Sequence, residues 1–186
     1  IGDNNFTSQR NTLATIYVVR DPRNLVNSIS NHYSKSLEES KKFLMTPRYL
    51  FGYKKNGDVK KNDIKTLLGT WSQHYNFWKT SNSNYLLIRY EDLINDTNSE
   101  LNKIIVFLKK YININVDSTK IKNILNTTNF DYLKNLENEG KFNENAFENI
   151  NTKKTFFYLG PKNNWKNNLQ DSIKKEIEKQ LNKEMS

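Results

Sequence analysis

The chain has 186 residues, which fits one domain and allows a real core. It contains no Cys, which excludes disulfides and cysteine-ligated metals within it, and it shows neither a membrane-length apolar run nor a signal-peptide pattern. The net charge of +9 points to anionic partners such as nucleotides, nucleic acid or acidic glycans; equally, abundant Asn, Lys and Ile are what an AT-rich genome produces, and a solvated basic surface needs no ligand. The chain opens at Ile1 without a Met and reads as a fragment, with a cytoplasmic setting as the default expectation.

Residues 1–11 are polar and read as loop. Ile16 to Val19 is β-branched and aromatic, as a buried strand would be. Asp21-Pro22 follows at once, a good N-cap and a residue suited to the first helical position. Leu25, Val26, Ile29 and Tyr33 then recur at helical spacing, so the unit is strand, tight turn, helix. Arg20 closes the strand, at the edge where open α/β sheets bind ligands, and Ser28 lies about two turns into the helix. A helix N-terminus with an Arg and a hydroxyl beside it suits an anion, most simply a phosphate. An ordinary βα turn with a surface Arg and a helical Ser is the competing reading.

From Leu37 to Lys61 the pattern is weak, and the stretch reads as an insertion over one face, either a substrate wall or a plain surface loop, with a hairpin-tip signal at Asn56-Gly57. Asp63 is placed to cap a helix whose apolar stripe is Ile64, Leu67, Leu68, Trp71, Tyr75 and Trp78. His74 in that helix reads as a core or hydrogen-bonded histidine rather than a catalytic one, and His32 is discounted in the same way. Tyr85 to Tyr90 predicts a second buried strand, followed by Glu91-Asp92-Leu93 and a helix capped near Asp96 or Thr97 with Leu101, Ile104, Ile105 and Leu108 inward. Two strands, each followed by helices, argue for βα units and a parallel sheet.

A shorter helix holds Ile121, Ile124 and Leu125; Thr128-Asn129-Phe130 leads into another with Leu133 and Leu136, which Gly140 stops. Residues 144–155 are Asn-rich and loop-like. Phe156 to Leu169 carries aromatics, Gly160-Pro161, Lys162, two Asn and Trp165-Lys166-Asn167, and Asp171 to Met185 is an amphipathic helix with Ile173, Ile177 and Leu181 on one side. No repeat or interdomain linker divides the chain.

Four stretches carry the chemistry. Beside Arg20 and Ser28 stands Tyr90, an aromatic at a strand's ligand end that can stack on a base or hydrogen-bond its edge. Glu91 and Asp92 are general acid or base candidates by type. Adjacent carboxylates on a strand end point to different sides, however, and Asp92 reads better as a helix cap. By themselves Thr128 reads as a helix N-cap and Phe130 as a core anchor. Gly160 lets backbone approach a phosphate, with Lys162 as a nearby cation.

Arg20-Asp21-Pro22 with Ser28 eight positions after the Arg, then Tyr90-Glu91-Asp92, Thr128-Asn129-Phe130 and Gly160 five before Trp165-Lys166-Asn167, run in order from about Ile16 to Asn168. In that order and spacing they resemble the sulfotransferases that use 3′-phosphoadenosine 5′-phosphosulfate (PAPS), whose desulfated product is 3′-phosphoadenosine 5′-phosphate (PAP). The resemblance implies an α/β, P-loop-like three-layer fold with a parallel sheet, incomplete at the N-terminus, so that 1–186 is a single, truncated sulfotransferase domain. It also implies that Arg20 and Ser28 hold the 3′-phosphate, that Tyr90 lies near the adenine, that Thr128 and Phe130 contact the purine, and that Gly160 and Lys162 belong to the phosphate loop. The chain departs from the family's Arg-Lys-Gly-x-x-Gly-x-Trp-Lys-Asn at Tyr158-Leu159 and at Asn163; Lys162 is the charge expected to compensate, and Trp165 is expected as a packing anchor.

The family's Lys/Ser/Gly/Thr-rich loop for the 5′-phosphosulfate and its Lys-Thr-His segment do not occur in this sequence. The catalytic base is therefore expected upstream of Ile1, with no catalytic residue and no metal ligand set in the chain itself. The expected reaction of the whole protein is transfer of a sulfuryl group from PAPS, the nucleotide cosubstrate, to an unidentified acceptor hydroxyl or amine. The fragment alone is expected to be inactive, with no nucleic-acid partner and no membrane segment. Two alternatives stand beside it. One is a fragment of a P-loop-type nucleotide or sugar kinase, whose Walker loop would also lie upstream. The other is a basic nucleic-acid-binding module, against which the aromatics sit at core spacing rather than in a basic stripe.

Overall fold

The computed structural model describes residues 11–47, 49–51, 66–81, 84–142 and 154–185. Strand β1 (Thr15–Val19) and strand β4 (Tyr85–Arg89) form a parallel pair in the register Thr15↔Tyr85 to Val19↔Arg89. Strands β2 (Tyr49–Phe51) and β3 (Thr66–Leu68) form a separate antiparallel pair. Around these lie helices α1 (Pro22–Tyr33), α2 (Leu37–Met45), α3 (Trp71–Ser81), α4 (Tyr90–Asn95), α5 (Thr97–Leu108), α6 (Ser118–Thr127), α7 (Phe130–Asn138), α8 (Trp165–Asn168) and α9 (Asp171–Met185). The result is a helix-rich α/β fold with a small parallel sheet. No helix among the described residues is long and apolar enough to cross a membrane.

Helix α1 starts where Asp21 and Pro22 predict. The Asp21 carboxylate accepts from Arg23 N, and Pro22 occupies the first turn, where its missing N–H costs nothing. One side of α1 buries Val26 and Ile29 against Leu44 of α2 and against Leu169, Ile173, Ile177 and Leu181. The last three residues lie one helical turn apart on α9, which is why that helix is legible as amphipathic. Helix α7 ends as Gly140 predicts: at φ +71° the glycine sends its N–H to Glu137 O, and Lys141 N reaches Leu136 O.

Beyond the two strands, which were expected to be buried yet leave Ile16, Val18 and Leu87 exposed, two stretches differ from expectation. Residues 37–45 form helix α2, opened by a reciprocal cap: Glu39 N donates to Ser36 Oγ at 3.2 Å, and Ser36 N to Glu39 Oε2 at 2.8 Å. Its apolar pattern is weak because the core-facing side buries Ser40 and Lys41 alongside Leu44. Lys41 is admitted there by ion pairs to Glu38 and Glu176. The second difference is the start of α3. Thr66–Leu68 is strand rather than helix, and the helix begins at Trp71, where Thr70 and Gln73 cap each other: Gln73 N to Thr70 Oγ1 at 3.1 Å, Thr70 N to Gln73 Oε1 at 2.9 Å. Asn56-Gly57, Asp63, Ile64 and the loop 144–153 lie outside the described residues.

His74 on α3 is a hydrogen-bonded histidine. Trp78 Nε1 donates to its Nε2 at 3.2 Å, and its Nδ1 meets Tyr17 Oη at 3.0 Å. Indole only donates, so Nε2 must be unprotonated and the neutral ring carries its proton on Nδ1, facing Tyr17. Burial of the ring atoms among these partners lowers the His74 pKa below 6.5, although part of the side chain still meets solvent. Burial likewise pushes Tyr17 and Tyr85 up to about 12, so both stay protonated at neutral pH.

Truncating Ile177, which is fully buried, is expected to cost about 2–5 kcal/mol in denaturant unfolding, whereas Lys179→Ala on the exposed side of α9 stays within about 0.5 kcal/mol. The lowered His74 pKa means that the folded state binds fewer protons than the unfolded one below pH 6.5, so stability falls as the pH is lowered through that value. A His74→Gln variant should show a shallower loss over the same window; parallel stability curves for the two proteins would remove His74 as the cause.

Candidate functional site

The parallel register sets Val19 beside Arg89, so the next residues, Arg20 and Tyr90, emerge together at the carboxyl edge of the sheet. The Arg20 guanidinium lies 4.2 Å over the Tyr90 ring. Its Nη1 donates to Ser28 Oγ at 3.1 Å, while its Nε is buried without a hydrogen-bond partner. The Arg20 carbonyl is fixed from the other side by Trp71 Nε1 at 3.2 Å. Burial pulls the Arg20 pKa down, and Tyr90, Glu91 and Asp21 oppose that effect. A guanidinium does not give up its proton in a protein, so the site keeps a partly desolvated cation.

Glu91 acts in this frame as an anchor. Its Oε1 accepts from Asp21 N at 3.1 Å and from Asn24 Nδ2 at 3.2 Å, which ties the N-terminus of α1 to the start of α4. Asp92 does not cap a helix: α4 begins at Tyr90, Arg89 is its N-cap residue without a side-chain cap bond, and Asp92 lies exposed in the first turn. The third wall comes from the other end of the chain. Thr128 closes α6, its Oγ1 donating to Ile124 O at 2.7 Å, while Asn129 caps α7 by accepting from Asp131 N and Tyr132 N. The N-cap reading of Thr128 therefore moves one residue on, and Phe130 opens α7.

Gly160 sits in a short 3-10 turn over residues 160–162 with φ +51°, and a Cβ added to it would lie 2.3 Å from the Phe130 ring. Only glycine satisfies both the left-handed backbone and that approach. Phe130 in turn meets Phe157 edge-on, with centroids 6.0 Å apart. Trp165 is the expected packing anchor. Arg23 stacks 3.7 Å over its ring, and its backbone N donates to Asn24 Oδ1 at 2.8 Å.

These elements enclose a cavity of about 910 Å³. Of the seven residues singled out from the sequence, Arg20, Ser28, Tyr90, Thr128, Phe130 and Gly160 line it. Lys162 does not; its side chain is exposed on the turn. The cavity is polar at the Arg20–Ser28–Asn163 end, and apolar toward Leu93, Leu101, Ile104, Leu125 and Leu133. A cation with an aromatic ring against it, further rings in the lining and an apolar wall suit a phosphorylated, flat heteroaromatic ligand. Among the described residues no cluster of three His or carboxylate groups is arranged to hold a metal ion.

Two residues of the site carried no expected role: Asn24, and Asn163, which stood out only as a departure from the family's loop. Both are buried. Asn163 Nδ2 donates to Ser28 Oγ at 3.1 Å and to Asn24 O at 2.9 Å, closing the 160–165 turn onto α1. The available signal was a polar stripe at helical spacing, Asn24, Ser28 and Asn31, on the side of α1 opposite to its apolar one.

Residues 6–186 match the model of the sulfotransferase domain. The chain is 30% identical over 158 residues to the 3-beta-hydroxysteroid sulfotransferase of Cavia porcellus, a match that takes in 81% of this chain and 48% of the relative. Its fold is similar to the crystal structure of mouse sulfotransferase SULT7A1 complexed with PAP, with a TM-score of 0.62 at 19% identity, covering 92% of this chain and 58% of the mouse one. The chain thus spans about half the length of these relatives. By the extent of the domain match, together with the guinea-pig relative, the chain belongs to the sulfotransferase domain family.

Proposed function

We propose that this chain forms the 3′-phosphate and adenine part of a PAPS site, within a sulfotransferase that moves a sulfuryl group to an acceptor hydroxyl or amine. The observation that carries the reading is the buried, partnerless Nε of Arg20 at the polar end of a cavity lined by Ser28, Tyr90, Thr128, Phe130 and Gly160. A buried donor on a cation costs free energy unless something accepts from it, and a phosphate oxygen is the strongest such acceptor. The PAP named with the mouse structure carries a 3′-phosphate on an adenosine, which suits the polar end of the cavity and the aromatic rings beside it.

In this reading Arg20 and Ser28 grip the 3′-phosphate, and the face of Tyr90 not covered by Arg20 borders the adenine. Phe130, held by the methyl-free surface of Gly160, supplies the ring against which the purine lies. Thr128 Oγ1, having spent its proton on Ile124 O, can only accept, and so faces the exocyclic amine of the base. Lys162 contributes charge from the rim. The bound nucleotide supplies the activated sulfuryl group; the residues of this chain bind and orient it.

The groups that grip the 5′-phosphosulfate and deprotonate the acceptor belong, on this proposal, to sequence outside these 186 residues, which form one part of a single domain. An incomplete sheet supports that view. Parallel sheets are covered on both sides, yet Ile16 and Val18 of β1 are 36% and 49% exposed.

Arg20→Ala is expected to weaken PAP binding by about 1.5–3 kcal/mol in calorimetry, the scale of a hydrogen bond to a charged group. Unchanged affinity would remove Arg20 from the site. Gly160→Ala pushes a methyl into the Phe130 ring and should abolish most PAP affinity while the α1–α9 core keeps its unfolding midpoint within a few degrees. The 186-residue chain alone should show no sulfuryl transfer; turnover by the purified chain would overturn the division of the site proposed here.

A further inference from the structure

Asn163 stands where the family's loop has its second glycine, and its side chain does something a glycine cannot. Ser28 Oγ receives two hydrogen bonds, from Arg20 Nη1 at 3.1 Å and from Asn163 Nδ2 at 3.1 Å. A guanidinium and an amide NH₂ can only donate, so both lone pairs of the serine oxygen are occupied and its proton must point elsewhere. The amide is itself held in place: its second contact runs to Asn24 O at 2.9 Å, its Oδ1 lies 3.5 Å from Asn27 Nδ2, and the residue is 7% exposed. Ser28 is thereby fixed as a donor at the wall of the cavity.

The charges around this point make the arrangement consequential. Tyr158 and Leu159 occupy the positions of the family's Arg-Lys pair, and Lys162 does not line the cavity. Among the described lining residues Arg20 is the one Lys or Arg. With a single fixed cation, selection of a phosphate rests on how many neutral donors are aimed at it.

Building on the reading of the cavity as a PAP site, we propose that Asn163 is a positioning residue for the 3′-phosphate: it locks Ser28 in the donor state, so that Arg20 and Ser28 together select an acceptor-only anion on the ribose. This neutral lock takes over part of the selectivity that a second and third cation would give. The consequence is discrimination between nucleotides that differ only in the 3′-phosphate.

The test measures, by calorimetry on the intact chain, the affinity ratio of PAP to adenosine 5′-phosphate for wild type, Asn163→Ala, Ser28→Ala and the double variant. Wild type should prefer PAP. Asn163→Ala should reduce that preference about three- to tenfold, the scale of one neutral hydrogen bond. In the Ser28→Ala background it should have no further effect on the ratio. The ratio compares two ligands on one folded population, so a general loss of stability lowers both affinities and leaves it unchanged. A wild-type chain without preference for PAP would overturn the nucleotide reading itself. A clear wild-type preference that survives Asn163→Ala, or one that Asn163→Ala lowers equally with and without Ser28, would overturn only the role given to Asn163.

Discussion

The parallel pairing of β1 with β4 is the constraint from which the site follows. Neighbouring strands lie about 4.8 Å apart, so two chains running in the same direction deliver their carboxyl ends side by side. With Val19 opposite Arg89, Arg20 and Tyr90 must leave the sheet together, and the guanidinium settles on the ring. A slip of one residue would turn one of the two side chains to the other side of the sheet and undo that contact. The register is held from both sides. Ile88 is completely buried, and at the ligand edge the Glu91 carboxylate bridges to Asp21 N and Asn24 Nδ2 across the two βα turns.

Helix α1 converts this edge into a cavity because its two sides carry different chemistry. Val26 and Ile29 bury against α2 and α9, which fixes the helix as part of the core. Asn24 and Ser28 face the 160–165 turn instead, and each of their polar contacts is met by a specific partner: Glu91, Trp165 N and Asn163 for Asn24, Arg20 and Asn163 for Ser28. Buried amides left unmatched would each cost about 1–3 kcal/mol, so the polar side specifies where the turn sits as firmly as the apolar side specifies the packing. Core and site are coupled through one helix. Displacing α9 from α1 would move Ser28, and so disturb the cavity, without any substitution among the residues that line it.

Much of this was legible in the sequence, and the reasons for success and failure are physical. The β1–α1 unit, the Tyr85 strand, the Gly140 stop and helix α9 all rest on local signals: a cap residue, a β-branched run, a left-handed glycine, a stripe of Ile and Leu. Helix α2 was not, since Ser40 and Lys41 occupy its inward face and the compensating Glu176 lies far along the chain. The start of α3 was misplaced because Leu67 and Leu68 fit the helical period yet pair as strand, while the Thr70–Gln73 cap decides the boundary. Six of the seven residues singled out by type and spacing line one cavity. Asn24 and Asn163 were given no role, because the duty of a buried asparagine shows only through partners distant in sequence; Lys162, chosen for its charge, is exposed and lies outside the lining.

Charge alone would not have distinguished the two arginines that flank Asp21, yet their surroundings assign them opposite duties. Arg23 is held by two carboxylates: Asp21 and Glu178 each approach it at 2.7 Å, Trp165 lies beneath it, and against the effect of burial these carboxylates hold its proton more firmly than usual. It joins α1 to α9, its charge is balanced by two carboxylates, and it lies outside the cavity lining. Arg20 has no carboxylate in salt-bridge reach among the described residues; it has an aromatic face, one serine oxygen and a buried Nε with no acceptor. Both carboxylates whose charge acts on Arg20 are already engaged: Glu91 accepts from Asp21 N and Asn24 Nδ2, and Asp21 is drawn to Arg23 through both oxygens. A partly dry cation whose nearby carboxylates are engaged elsewhere gains from an acceptor brought from outside, so on the proposed reading the Arg23–Asp21 pair and the anchored Glu91, although none of them lines the cavity, leave Arg20 available to a phosphate.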